Sequence, residues 1–486
     1  MSQSADAVAP EAPVTLASAP GKVLVAGGYL VLDRRYSGLV VGTDACLYAA
    51  VKSQPRAQSS DPTLSITVRS PQFESAWWRY AFDRTANTLR QDASADGTEN
   101  TFVHVVLETT LALANSRNPA ALQAAGGLSV ALLADNDFYS QRQTLASRGL
   151  SPTPDALATL PRMCPTGTTL AAVHKTGLGS SAAMVTSLVA ALLAHLRVTT
   201  AHPLCAADLR VVHNVAQLAH CLAQGKVGSG FDVSAAVHGS HVYRRFTPAL
   251  LDRAMSTQRS PEDICAAADA QWDCCVERID VPPRLVLRLA DVDAGSSTPG
   301  MVRRVLQWQR EHPEDAATLW AALDAANARV RCLWDALHQA AAVDRSAYDA
   351  AVDWCAVRTC DLWRDAQAPA LPSIQLLADL VDATRVMRAQ QRLLGTRAGV
   401  SIEPEEQTRL LDACMNVPGV CMAAVPGAGG YDAIYCVVLG DKAAREVGDL
   451  WARWGEMRVA PLLAAQASGG VRLLDPQEFP EATSAL

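Results

Sequence analysis

His174–Leu196 reads HKTGLGSSAAMVTSLVAALLAHL. Two glycines and two serines stand directly ahead of a long apolar run, and the reading of the fold turns on what they do. The order fails the common nucleotide loop G-x-x-x-x-G-K-[ST], because Lys175 comes before Gly177, Gly179, Ser180 and Ser181. The residues alone leave two readings open. In one, Ser180 merely caps a core helix. In the other, the unpaired N–H groups and positive end of that helix bind an anion, glycines let the backbone approach it, and the serines add hydroxyls. Ala182–Leu196 is apolar but broken by Thr186, Ser187 and His195, and it is shorter than a membrane span requires, so a buried helix is expected.

Outward from this stretch, composition narrows the class. A chain of 486 residues exceeds one ordinary core, so two large domains are expected. Hydrophobic residues make up 49% and charged residues 19%, which fits a folded globular protein. A net charge of -7 argues against a general nucleic-acid binder. The 13 cysteines are scattered, with no C-x-x-C pair, which excludes a clustered zinc site and fits a reducing compartment. MSQSADAVAPEAP has neither a basic start nor an apolar core, so no signal peptide is expected. The C-terminal Ser-Ala-Leu lacks the basic middle residue of a peroxisomal Ser-Lys-Leu signal, so the cytoplasm is the expected location and the peroxisome the alternative.

Along the chain, Val14–Val51 reads as strands and tight turns, with Pro20-Gly21 making a turn that Lys22 leaves. Alternation at Leu64, Ile66 and Val68 predicts a strand. Phe102–Ala114 predicts a helix with Asn100 as N-cap. Leu128–Leu133 and Thr168–Val173 read as strands, and Gln141–Pro165, with four prolines, as a surface loop. A boundary is expected between Tyr243 and Pro283, where STQRSPED looks like linker or insertion. Val281–Val292 alternates as a strand. Thr318–Leu394 predicts two or three helices, and Gly419–Leu439 a strand, a glycine turn and a strand.

Three more stretches carry possible chemistry. SAPGKVLVAGGYLVL, Ser18–Leu32, holds Lys22, which on its own is a solvated hairpin lysine. AQGKVGSGFDVSAAVHGS, Ala223–Ser240, places Asp232 behind Gly228 and Gly230 at a helix start, where an acid also serves the helix dipole. VPGAGGYDAIYCVVL holds Gly427, Gly429 and Gly430, a flexible turn or a second backbone cradle.

Each stretch is ambiguous alone, but in this order APGKV, GLGSSA and PGAGGYDA resemble the three signature motifs of the GHMP kinases, from about Val14 to Leu439. Gly27, Gly28 and Tyr29 stand where mevalonate kinases have Gly-Glu-His, and Val173, His174 and Lys175 replace a proline ahead of the loop. Both departures, with GSSTPGMV at Gly295–Val302, resemble the phosphomevalonate branch.

The resemblance implies an α+β fold of two domains. An N-terminal, ATP-binding domain like ribosomal protein S5 domain 2 would span 14–245. A C-terminal split β-α-β, ferredoxin-like domain with extra helices would span 283–486. The implied reaction moves the ATP γ-phosphoryl to 5-phosphomevalonate with Mg2+, in a monomer or homodimer that binds neither nucleic acid nor membrane.

The residues implied for each role are as follows. Lys22 and Asp232 are catalytic. Lys175, Gly177, Leu178, Gly179, Ser180, Ser181 and Ala182 bind ATP. Lys22, Lys226, Ser229, Ser296, Ser297, Thr298, Gly429 and Gly430 bind the acceptor. Lys22, Lys175 and Lys226 would screen repulsion between two anions. The magnesium-binding glutamate of mevalonate kinases falls on Cys221, beside His220, which leaves Ser181 or Ser180 as the metal ligand. The alternatives are another kinase of the superfamily, such as a mevalonate kinase, or a non-catalytic metabolite sensor on the same fold.

Overall fold

The computed structural model describes residues 13–54, 62–94, 97–200, 202–292 and 298–486. These described residues form two sheets. The first runs in the spatial order Arg472–Leu474, Val14–Ala26, Ser37–Gln54, Gly127–Ala134, Thr63–Arg69, Trp77–Asp83 and Thr88–Ser94. The strands His241–Arg244 and Gln466–Ala467 pair with Ser37–Gln54. The helices Thr101–Arg117, Ser180–His195, Ala206–Gln224 and Phe231–His238 form the layer against this sheet. Ser180–His195 is apolar almost all round, so it lies at the centre of that layer with every residue from Val185 to Leu193 buried.

The second sheet is antiparallel and is built from Leu285–Val292, Val420–Ala424, Ala433–Leu439 and Val459–Leu462. In chain order these strands and their helices alternate as β-α-β-β-α-β. The spatial order is second, third, first, fourth, the split β-α-β arrangement that the resemblance implies. The extra helices are inserted after the first strand: Thr298–Glu311, Pro313–Val343, Arg345–Ala356, Pro372–Ala398 and Glu405–Met415. Their apolar stripes, such as Leu323, Val330 and Leu337 against Leu377 and Val381, supply the core of this region.

The helix expected at Phe102–Ala114 spans Thr101–Arg117, and the Asn100 side chain accepts from the Val103 amide as an N-cap. The strands expected near Leu64 and Leu128, the long Ala-rich helices and the strand pair around Gly427 are present. Three local expectations are corrected. Pro20-Gly21 is not a turn. The strand Val14–Ala26 runs straight through it, and its register slips so that residues 43–45 face Gly21 alone. Thr168–Val173 is not a strand, because bonds from the Ala172 and Val173 amides to the Thr169 carbonyl close a turn. The surface loop Gln141–Pro165 contains two short helices, Arg142–Ser147 and Pro154–Ala158.

STQRSPED is no linker. Ser260 caps the helix Pro261–Asp269, which packs on Thr101–Arg117, and Cys275–Arg278 pairs with His241–Arg244. The division into 14–245 and 283–486 is kept as a proposal, with residues 466–484 returning to the first sheet.

Among the described residues, burial shifts four histidines of the first layer. Burial holds His195, His213 and His241 down at about 4 and His238 at about 3. These values lie below the ordinary ~6.5, so the unfolded chain takes up protons that the folded chain does not as pH falls from ~6.5 to ~4. The stability present at pH 7 is therefore lost through that window, by about 2 kcal/mol at pH 5 for one such histidine. The urea midpoint is expected to fall steadily between pH 7 and pH 5, and His213→Gln to flatten the profile. A midpoint constant over this range would show that the folded state accepts these protons.

Candidate active site

The loop Thr176–Gly179 contains two glycines in the left-handed region, Gly177 at φ 83° and Gly179 at φ 82°. Gly179 is the N-cap of Ser180–His195, and the first intrahelical bond runs from the Ala183 amide to the Gly179 carbonyl. The amides of Ser180, Ser181 and Ala182 thus sit at the positive end of a 16-residue helix, the geometry of an anion site. Leu178 points into the core, and Ala182 is buried in the helix.

Lys22 is bound to this loop twice. Its amide donates to the Leu178 carbonyl at 3.0 Å and its Nζ to the Gly177 carbonyl at 2.9 Å. Gly21 makes this possible: a Cβ there would stand 2.8 Å from Thr43 Oγ1 and 3.2 Å from Leu178 O. A Cβ on Gly179 would stand 3.0 Å from Lys22 Cε. Burial pulls the Lys22 ammonium below its ordinary value, while the Asp232 and Asp432 carboxylates push it back up. Its Nζ also lies 5.5 Å from the centre of the Phe231 ring.

Asp232 lies in the first turn of Phe231–His238, and its Oδ1 accepts from the Val233 amide at 3.0 Å. Its Oδ2 is 3.9 Å from His220 Nε2, which shares a hydrogen bond with Ser181 Oγ at 3.1 Å. Ser181, His220 and Asp232 therefore form one row beside the helix end. Burial pushes the Cys221 thiol up to about 11, so it stays protonated and makes no magnesium ligand. Among the described residues no three His, Cys, Asp or Glu side chains form a metal cluster. The oxygens of Ser181 and Asp232 still fit Mg2+, an ion that keeps several waters and takes one or two carboxylates beside substrate phosphates.

The third glycine stretch closes on the first. The Gly427 amide donates to Leu24 O at 3.2 Å, and a Cβ on Gly28 would stand 2.2 Å from Gly427 O. Tyr29, at φ 62°, donates through its hydroxyl to the Ala428 carbonyl at 2.8 Å. The Gly430 amide donates to Ile402 O at 2.8 Å. The neighbouring Glu403 is fully buried and receives Arg388, Arg392 and Thr408, which fixes the support of that loop.

Two cavities flank the phosphate loop. One, of about 190 Å³, is lined by Lys22, Tyr29, Gly177, Ser229, Thr298 and Asp432, with Gly429 in the wall. The other, of about 80 Å³, is lined by Phe73, Trp78, Phe102, Tyr139, Lys175 and both loop serines. The first gathers the expected acceptor residues that it can, and the second is an aromatic slot of the kind that takes a base.

Lys226 is exposed in the turn after Ala206–Gln224 and lines neither cavity. Ser296 and Ser297 lie outside the described residues. Thr298 opens the helix Thr298–Glu311. The four aromatic residues of the slot come from separate elements and leave no sequence signal. Asp432 was within reach, since it stands in PGAGGYDA.

Gly179→Val is expected to abolish ATP binding. The new side chain would meet Lys22 and would be strained at a positive φ by about 1–2 kcal/mol, too little to unfold a chain of this size. Calorimetry with a non-hydrolysable ATP analogue reads the outcome. Unchanged affinity in a folded variant would reduce Gly179 to a packing residue.

Comparison with known proteins shows the family of the chain. The family described as GHMP kinases N terminal domain matches residues 169–240, from the approach to the phosphate loop through the Asp232 helix. The chain is 38% identical to the peroxisomal phosphomevalonate kinase of Arabidopsis thaliana, over 94% of this chain and 95% of that one. It is 36% identical to the phosphomevalonate kinase of Aspergillus fumigatus, over 87% of each. Its fold is shared with Streptococcus pneumoniae phosphomevalonate kinase, solved with phosphomevalonate and AMPPNP, at a TM-score of 0.56 and 15% identity over 93% of this chain and 99% of that one. The chain belongs to the phosphomevalonate kinase family of GHMP kinases.

Proposed function

We infer that the protein transfers the γ-phosphoryl group of ATP to the phosphate of 5-phosphomevalonate, giving 5-diphosphomevalonate and ADP. The observation that carries this reading is Lys22 docked on the phosphate loop, between an aromatic slot and a polar cavity. The slot suits the nucleotide base, the amides of Ser180–Ala182 suit its phosphates, and the cavity suits the acceptor. Both reactants are anions, so the transition state needs positive charge between them rather than covalent help. Lys22 supplies it at the junction, and Lys175 supplies it on the nucleotide side.

The acceptor phosphate has a second pKa near ~6 and is mostly ionised at neutral pH. We therefore assign Asp232 to orientation, of Lys22 and of the acceptor, rather than to proton abstraction. Ser229 and Thr298 would serve the acceptor, with Gly429 in the same wall, while Gly430 supports that loop through Ile402. Mg2+ would be held by Ser181 and Asp232 with phosphate oxygens, and when bound it neutralises charge on the nucleotide. Our proposed location is the cytoplasm, supported by 13 free thiols. Among the described residues no helix is long and apolar enough to cross a membrane.

Incubation with ATP and either 5-phosphomevalonate or mevalonate tests the reading. ADP release is expected with the first only, and release with mevalonate alone would overturn it. In the same assay, Asp232→Asn is expected to lose kcat by a factor that stays constant above pH ~6, where the acceptor is already ionised. Marked recovery of that variant at alkaline pH would make Asp232 a base.

A further inference from the structure

One buried charge has no part in the chemistry described so far. Asp291 is the penultimate residue of the strand Leu285–Val292 in the second sheet and is 1% exposed. Its Oδ2 accepts from Arg142 Nε at 3.3 Å and Nη2 at 3.2 Å, and its Oδ1 lies 2.9 Å from His174 Nε2. A carboxylate at this distance can only accept, so Nε2 carries the proton. Both partners come from the segment between the strand Gly127–Ala134 and the helix Ser180–His195. Arg142 opens the helix Arg142–Ser147 and also donates to the backbone carbonyls of Asp291 and Arg458. His174 begins the stretch that carries the phosphate loop.

The backbone around these residues ties the same parts together. The Ser140 amide donates to the His174 carbonyl at 3.0 Å, and Thr176 donates to the carbonyls of Phe138 and Asp137. The Asp137 carboxylate accepts from the Leu463 and Ala464 amides at 2.6 and 2.9 Å, just beyond the strand Val459–Leu462. Residues 136–142 thus form a strap bonded to the phosphate loop on one side and to the second sheet on the other. Asp291 is the point where the second sheet grips the side chain of His174, two residues ahead of the loop. The residue after it, Val292, donates its amide to the Asp432 carbonyl, and Asp432 lines the acceptor cavity.

We propose that Asp291 is a positioning residue for phosphoryl transfer: through His174 it sets the phosphate loop in line with the wall that the second sheet and its glycine stretch contribute to the acceptor cavity. The inference rests on the kinase reading given above. A carboxylate held by a guanidinium and an imidazole away from water has one direction, and so do the groups it holds. Transfer in line requires reacting atoms within about 3.5 Å, and a shift of about 1 Å costs on the order of 100-fold in rate. An ion pair that only held the two layers together would change stability and leave kcat alone.

Two variants separate these roles. Asp291→Asn removes the charge, and His174→Ala removes the donor that links the approach to the loop to Asp291 while leaving Arg142 on Asp291, which keeps the fold. Both are expected to lower kcat by about 10- to 100-fold with ATP and acceptor saturating. KM for each substrate should stay within about threefold, because each half-site remains intact. The double variant should be no slower than the slower single one, since both changes break one link. Hydrogen exchange of the amides at 176–182, read without any ligand, should speed up in both.

A folded His174→Ala with wild-type kcat and unchanged loop exchange would overturn the proposal, as would additive losses in the double variant. If the unaltered protein phosphorylates mevalonate instead, the acceptor reading falls and the same comparison is made with mevalonate. If it phosphorylates neither, the kinase reading falls by itself and loop exchange decides: faster exchange supports the role of Asp291, and unchanged exchange overturns it.

Discussion

The site depends on one close approach, that of the Lys22 backbone and side chain to the carbonyls of Leu178 and Gly177. The strand Val14–Ala26 has to pass directly beneath a helix N-terminus for this to happen. That constraint dictates glycine at 21, where the strand meets Thr43 and Leu178, and glycine at 179, where the loop meets Lys22. It also dictates the slip in register opposite residues 43–45, which releases Lys22 from the sheet's ordinary alternation. The same strand then reaches Gly28 and Tyr29, which receive the third glycine stretch. One strand therefore brings three distant segments of sequence to one place.

The electrostatics follow from the same packing. Lys22 is half-buried, and burial alone favours its neutral form. Asp232 and Asp432 offset only part of this, and in the proposed reaction Lys22 would hold its charge where two anions meet. The structure sets that charge before substrate arrives, which is the form in which electrostatic stabilisation is most effective. The fully buried Glu403, paired with Arg388, has a different task. A buried ion pair is weak support for stability, but it fixes direction, and here it fixes the segment on which Gly430 rests.

Much of this was legible in the sequence where a local rule is strong. Asn100 announced a helix, alternation at Leu64–Val68 announced a strand, and GLGSSA ahead of an apolar run announced a helix start. The structure brings Lys22 and Gly429 of the first and third motifs to one cavity, with Asp232 acting on Lys22 from beside it. What escaped was decided by tertiary contact. Pro20-Gly21 carries the composition of a turn, yet neighbouring strands and Leu178 hold it extended. Lys226 carries the right charge, but its turn faces solvent. The aromatic slot is assembled from residues 73, 78, 102 and 139, and no periodicity links them. His220 lies four turns into a buried helix, and only the fold reveals that it stands between Ser181 and Asp232.

The central claim is that Lys22 stands between donor and acceptor, and a crystal structure with an ATP analogue, Mg2+ and 5-phosphomevalonate tests it most directly. The account predicts that the Lys22 Nζ leaves the Gly177 carbonyl and lies within hydrogen-bond distance of both the γ-phosphate and the acceptor phosphate. A structure in which both phosphates are ordered while Nζ remains on Gly177 and touches neither would contradict it.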